Sequence, residues 1–438
     1  MNPRWLCLFL LLHILFSSVQ LCEIPGGNLH HINSLNAELL RLTQDDSTEP
    51  NPSIYLGLRL SDDHNLESER HYLERLKNVY QPNAGSALVA VTYQEHPGTG
   101  HLALYLLALR AACANMEMVV ANRLVTQLKL HLHREKDKIG PEGHGWPITN
   151  YYQYSLGVLA MCVHGKMIDE HVIRKLLHAE RDGRFWDKNK LSVDTEAMAG
   201  LAFACLQRAT IYTPDLMAKL NQSVEKVKEK ILQAQTPEGA FGNIYSSPLA
   251  VQFLLATGMS QKKPECPKGV AALLRHLEQQ DFRNILFKSQ LLPVLYGKSY
   301  LDIASMECRT ERNGLVISTP SPVLEGTTRQ RKRIAVQLVV KHPPHRLPLY
   351  REVLMVPQGS SLLDVLKMAA KEVSEPLVFE TQDTFSGPLL TAMMGVKPQE
   401  GERKYWKIVR APSTVLEQGI ADYIPKHKDT IIFRFSPW

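Results

Sequence analysis

Four stretches of this chain are apolar on every side of a helix: Gly100–Arg110, Tyr151–Cys162, Val193–Cys205 and Pro248–Ala256. Counted from Gly100, Tyr151, Asp194 and Ser247, they recur after 51, 43 and 53 residues. Between them lie helices with one charged face, such as Leu216–Ala234, where Lys219, Glu225, Lys226 and Lys230 interrupt the apolar positions, and Gly269–Gln279. A helix that is apolar all round has to be buried, and an amphipathic partner shields it from water. Repeating that pair predicts a helical array in which each unit buries its neighbour. Closed on itself the array is an α/α barrel, with the loops before the inner helices gathered at one end; left open it is a solenoid. Ala and Gly within the inner helices permit close approach, and cysteines far apart in sequence favour closure.

The pattern changes after Cys308. Residues 309–333 contain Gly314, Pro320, Pro322 and Gly326 with no hydrophobic period and end in the basic run Arg329–Arg333, which predicts a linker. Beyond it, residues 334–340, 351–356, 378–382, 404–409 and 430–435 read as strands, and 362–371 as a serine-capped helix. The expected chain is therefore mainly α and multidomain: a barrel over 20–308, a linker over 309–333 and a small β-rich α+β domain over 334–438.

The first residues change how the cysteines are read. Arg4, the apolar run Trp5–Phe16 and then Ser17, Ser18 and Val19 form a signal peptide over 1–19. The run holds roughly 12 apolar residues where a membrane span needs about 20, so the chain is expected to be secreted and extracellular, with no membrane insertion. Of seven cysteines, Cys7 leaves with the signal. Six remain, Cys22, Cys113, Cys162, Cys205, Cys266 and Cys308, which in an oxidising compartment read as three disulfides. Cys162 and Cys205 end equivalent apolar helices, so parallel neighbours would bring them together; spacing leaves the other pairings open. No two cysteines are close enough for a zinc ligand pair.

Net charge is mild, +6 from 50 basic and 44 acidic residues, with no basic stripe interleaved with aromatics, so nucleic acid is not an expected partner. The chain holds no serine-hydrolase elbow, metalloprotease helix or phosphate loop. Asp194 and Glu238 are the one pair of loop carboxylates that could serve glycoside chemistry, and a secreted α/α-barrel enzyme acting on a glycan or isoprenoid-like substrate is the alternative reading. Asp194 also suits a helix N-cap. No set of the 17 histidines converges on a metal by spacing. What the inner-helix loops do offer is neutral polar groups: Thr149–Gln153 before one helix, Ser192, Asp194 and Thr195 before another, and Asn243–Ser247 with Gln252 at a third. Hydroxyl and amide groups around one carboxylate suit a large ligand rich in amides. The expectation is a binding protein and not an enzyme.

At these positions the sequence resembles the cobalamin carriers, the family of transcobalamin, intrinsic factor and haptocorrin. The resemblance rests on Tyr151–Ala160, Ser192–Phe203, Gln235–Asn243, Ser289–Leu295, Phe385–Leu389 and Gln418–Lys426, in that order along the chain. Cys22–Pro25 and Asn51–Leu60 look most like the transcobalamin branch, as does the single glycosylation sequon at Asn221. The resemblance implies an α6/α6 barrel followed by a small β-rich domain, with cobalamin (vitamin B12) as bound cargo between them and no catalytic cofactor. It implies the pairs Cys22–Cys266, Cys113–Cys308 and Cys162–Cys205, and ligand contacts at Thr149, Tyr152, Gln153, Asp194, Thr195, Asn243, Gln290, Ser386, Leu389 and Trp406. His101 stands where the family has a glutamine in the first barrel helix. Lys190 and Leu191 stand where transcobalamins carry histidines, one of which ligates cobalt, so no protein ligand to the metal is expected. By the same resemblance a monomer would deliver the vitamin to cells through a cell-surface uptake receptor.

Overall fold

A computed structural model describes residues 28–46, 48–81, 98–115, 119–140, 145–187, 190–209, 211–258, 265–308, 313–315, 332–343, 345, 347–371, 376–384, 387–398, 404–416 and 418–437. The signal peptide, Cys22 and Ser386 lie outside these residues. The chain forms two compact units, residues 1–317 and 318–438.

In the first unit, twelve helices are paired outer with inner. The outer members are α1 (Leu29–Thr43), α3 (Leu66–Tyr80), α5 (Val119–Lys138), α7 (Glu170–Arg181), α9 (Pro214–Gln233) and α11 (Glu265–Glu278). The inner members are α2 (Pro52–Arg59), α4 (Thr99–Ala111), α6 (Tyr151–Val163), α8 (Val193–Arg208), α10 (Ser247–Ala256) and α12 (Ile285–Leu295). Each inner helix packs against the next, and α12 packs back against α2, so the array closes into an α6/α6 barrel and the open solenoid is excluded. The division of labour follows the patterning: α8 is buried at nearly every position, whereas α9 buries one stripe, Leu216, Leu220, Val224, Val227 and Ile231 with Ser223 beside them. At Gly200 an added Cβ would lie 2.6 Å from Phe253 of α10, so only glycine lets these two helices approach this closely.

The inner helices run parallel. At their starts the Gly100 N–H of α4 donates to Gln153 Oε1 of α6; at their ends Cys162 of α6 is bonded to Cys205 of α8. The C-terminal end is closed by cations on terminal carbonyls: Arg59 donates to the Ala111 oxygen, Arg110 to that of Ala304 and Arg208 to that of Ala256. A 3-10 helix (Tyr300–Ser305), with Tyr300, Leu301 and Ile303 buried, packs against α4, α6 and α8. Cys113–Cys308 ties its far side to the end of α4.

The stretch expected to be linker from residue 309 is partly fastened to the barrel. Leu315 N donates to the His64 carbonyl, Asn65 Nδ2 to the Leu315 carbonyl and Leu66 N to Asn313 Oδ1.

The second unit is a five-stranded sheet of order β4-β3-β9-β7-β8. Its strands are β3 (Arg333–Lys341), β4 (Tyr350–Pro357), β7 (Lys404–Arg410), β8 (Thr414–Val415) and β9 (Thr430–Pro437); β3 and β9 are parallel and the other pairs antiparallel. Helix α13 (Leu362–Ala369), capped by a reciprocal Ser361–Asp364 box, packs on β4 and buries Leu362, Val365 and Leu366. A separate hairpin joins β5 (Phe379–Thr384) to β6 (Gly387–Met393); β6 was not expected, because Gly387-Pro388 reads as a turn. A two-residue ladder, β1 (Trp186–Asp187) with β2 (Lys190–Leu191), precedes α8 in the barrel unit.

Candidate functional site

The neutral polar residues picked out before the inner helices gather where those helices begin. Their anchor is Glu135, a buried carboxylate on α5. Its Oε1 accepts from the hydroxyls of Thr99 and Thr149, both at 2.8 Å, and its Oε2 from the Thr149 N–H at 3.0 Å. One carboxylate thus fixes the starts of α4 and α6. Because the Thr149 hydroxyl donates to Glu135, toward a ligand it can only accept.

Asn150 caps α6 by accepting from the Gln153 N–H, and the Gln153 side chain reaches across to α4. There its Oε1 accepts from the Gly100 N–H at 3.2 Å, and a Cβ on Gly100 would come within 2.8 Å of that oxygen. The Gln153 amide nitrogen makes no hydrogen bond among the described residues and remains a donor. His101, one residue on, is half-buried, and burial holds its imidazole below the usual range, so it is neutral at pH 7.

At α8 the N-cap is Ser192, not Asp194, which lies in the first turn. Ser192 Oγ donates to Asp194 Oδ1 at 2.6 Å and lies 2.7 Å from Thr195 Oγ1. Since Ser192 has one proton to give, the direction is Thr195 to Ser192 to Asp194. The second oxygen of Asp194 has no hydrogen bond among the described residues and can accept from a ligand N–H.

Deeper in the ring, Gln290 Nε2 donates to Tyr152 Oη at 3.1 Å, Gln252 Nε2 donates to the Gln290 carbonyl at 2.8 Å, and Tyr300 N donates to Gln252 Oε1 at 3.1 Å. Gln252, grouped with the loop residues at this helix, lies mid-helix as the Pro248–Ala256 pattern predicts and is fully buried. Burial pushes the Tyr152 hydroxyl well above the usual tyrosine range. Asn243 is committed to its own turn, its Oδ1 accepting from the N–H groups of Tyr245 and Ser246 at 2.9 Å each.

The mouth therefore presents a fixed set of donors and acceptors, with Glu135 spent on the threonines and Asp194 keeping one oxygen to accept. Glu238, the second carboxylate considered for acid–base work, is exposed in a turn and held below the usual range by a backbone N–H, so it has no raised pKa to make it an acid. Among the described residues, no group of three or more His, Cys, Asp or Glu is placed to hold a metal ion, and no helix is long and apolar enough to cross a membrane.

In the second unit, Leu389 is exposed on β6, whereas Trp406 of β7 is buried, its Nε1 donating to the Val396 carbonyl at 3.1 Å and its ring beside Phe435. Asn221 is exposed on α9. Sequence reasoning missed Glu135, which lies among Arg134, Lys136 and Asp137 and reads as one more charge of a solvated face; a threonine at the start of one inner helix, Thr99, and another just before the next, Thr149, was the signal that a shared acceptor was needed.

Comparison with known proteins adds three findings. The profile of the eukaryotic cobalamin-binding protein family matches residues 4–329. Transcobalamin-2 of Bos taurus is 42% identical over 98% of this chain and 99% of its own length, and that of Homo sapiens 42% over 98% of each. A crystal structure of haptocorrin in complex with Cbi superposes with a TM-score of 0.74 at 22% identity, covering 95% of this chain and 100% of that one, which shows a shared fold.

Proposed function

We propose, because this chain belongs to the eukaryotic cobalamin-binding protein family, that it binds cobalamin and transports it without chemical change. The observation that carries the proposal is the identity of 42% to transcobalamin-2 over nearly the whole of both chains. The mouth of the barrel supports it: corrin side chains are amides, which need both donors and acceptors. Asp194 and Thr149 offer acceptors and Gln153 a donor, while His101, Tyr152, Thr195, Asn243 and Gln290 complete the expected contacts. Ser386, Leu389 and Trp406 of the second unit belong to the same proposed set of contacts.

A signal peptide over 1–19 would send the chain out of the cell, where Cys22 would pair with Cys266 and Asn221 would be open to glycosylation. A monomer would then be taken up through a cell-surface receptor. Division into a barrel over 20–308, a linker over 309–333 and a small domain over 334–438 goes with this reading.

The test is to purify the secreted protein, incubate it with cyanocobalamin and separate bound from free by gel filtration. One red, corrin-absorbing equivalent co-eluting with each chain is the expected result. No co-elution at micromolar protein would overturn the proposal.

A further inference from the structure

Nearly all the net charge of the chain sits in the second unit. Residues 318–438 hold 17 Lys and Arg against 12 Asp and Glu, whereas residues 1–317 hold 33 against 32. Part of the excess is ordered on one face of the sheet. Lys341 at the end of β3 is the register partner of Arg434 on β9, and Arg434 is in turn the partner of Lys407 on β7. Because side chains alternate across a strand, partners in register share a face. The three cations thus form a line across three adjacent strands. Arg351 of β4 stands on the same face, diagonal to Lys341, since Val340 pairs with Tyr350 and Val339 with Arg351. Lys341, Arg351 and Arg434 are exposed and Lys407 half-buried.

Like charges directly opposite one another destabilise a sheet, and an acidic cross-strand partner is the usual relief. Here there is none: none of the four side chains makes a hydrogen bond or ion pair among the described residues. With strands about 4.8 Å apart, three cations span about 10 Å in a line one charge wide.

We infer that the Lys341–Arg434–Lys407 row, with Arg351 beside it, is a binding site for a linear sulfated glycan. A narrow line of ammonium and guanidinium groups fits a polymer carrying anionic groups along its length. On one side of the cations this face carries Val339, Ile432 and Val409, all aliphatic, and on the other a single aromatic, Tyr405, opposite Ser436; one ring cannot stack the successive bases of a single-stranded nucleic acid, which argues against that partner. A membrane surface would call for a broad basic plane in place of a single row.

The test is retention of the full-length protein on immobilised heparin at about 0.15 M salt. Wild type should be retained. The triple variant Lys341→Gln/Arg434→Gln/Lys407→Gln should bind on the order of a hundredfold more weakly, and should melt no lower than wild type, because repulsion is removed. A control variant, Arg70→Gln/Arg123→Gln/Lys129→Gln, removes equal charge from exposed positions on α3 and α5 and should bind as wild type does. Failure of wild type to bind, or equal losses in both triple variants, would overturn the site. Retention on immobilised polyglutamate or on anionic vesicles with none on heparin would overturn the glycan as its ligand.

Discussion

Gln290 Nε2 donates to the Tyr152 hydroxyl across 3.1 Å, joining α12 to α6, 138 residues apart in sequence. Both side chains are buried, and the bond continues through Gln252 to the backbone of Tyr300. Helices on different sides of the ring are thereby held by a chain of buried polar groups. Removing one member leaves its partner buried and unpaired, a cost of about 1–3 kcal/mol. Tyr152→Phe should therefore lower stability by that amount in urea unfolding and, as a proposed ligand contact, should weaken cobalamin binding as well. A variant as stable as wild type would mean that the chain of bonds contributes nothing net.

The barrel holds two titratable groups, Glu196 buried and His164 partly buried, that pull stability in opposite directions with pH. Glu196 shares the Lys230 ammonium with Glu180, both at 2.8 Å, and burial pushes its carboxyl up from 4.5 to about 7 against the pull of Lys230. A carboxyl with a raised folded-state pKa stabilises below its unfolded value, and that contribution is lost as pH rises from about 4.5 to 7. His164, whose Nε2 lies 2.9 Å from the Leu106 carbonyl, is pushed down from 6.5 to about 4 by burial. Its contribution is present above about 6.5 and is lost as pH falls toward 4. Each is worth on the order of 3 kcal/mol, so the two should nearly cancel in wild type between pH 7 and 4.5. Melts across that range should show Glu196→Gln losing stability toward acid and His164→Gln gaining it. Parallel profiles for the two variants would show that neither group is perturbed as described.

How much of this could be read in the sequence depends on how strong each local pattern is. Helices α4, α6, α8 and α10 are legible because an all-apolar helix of ten or more residues has no other place to go than the inside. The remaining inner helices are harder to see. Helix α2 spans eight residues, too few to display a period, and α12 carries Pro293 within it. Strand β6 is masked by Gly387-Pro388 at its start, although it pairs with β5 along its length. At the mouth, the loop hydroxyls and amides were visible as types, but their partners were not. The acceptor for Thr149 lies 14 residues back on another helix, and the Tyr152–Gln290 bond depends on closure of the whole ring.

The Cys162–Cys205 bond closes a loop of 43 residues between parallel inner helices. In the chain-entropy account such a loop is worth about 4 kcal/mol. Cys162→Ala/Cys205→Ala should unfold at correspondingly lower urea, and non-reducing peptide mapping should find Cys162 linked to Cys205 and Cys22 linked to Cys266. Free thiols at 162 and 205 would contradict the parallel arrangement.

The hairpin before α8 bears on the bound metal. Between Arg181 and Val193 there is no histidine, and β2 consists of Lys190 and Leu191. His178 is exposed on outer helix α7, and His101 begins a different inner helix. Bound aquocobalamin should therefore keep its water or another exogenous ligand. Its absorption spectrum should stay that of the aquo form in wild type, His101→Ala and His178→Ala alike. An imidazole-type shift lost in either variant would identify that histidine as a cobalt ligand.

Thermal unfolding with and without the vitamin tests most directly whether this chain carries cobalamin. A ligand that binds only the folded state at a thousandfold excess over its Kd adds about 4 kcal/mol. The melting temperature should rise with cobalamin concentration by several degrees, and Asp194→Ala should reduce the rise without abolishing the fold. A melting temperature that does not move at saturating cobalamin would contradict the account.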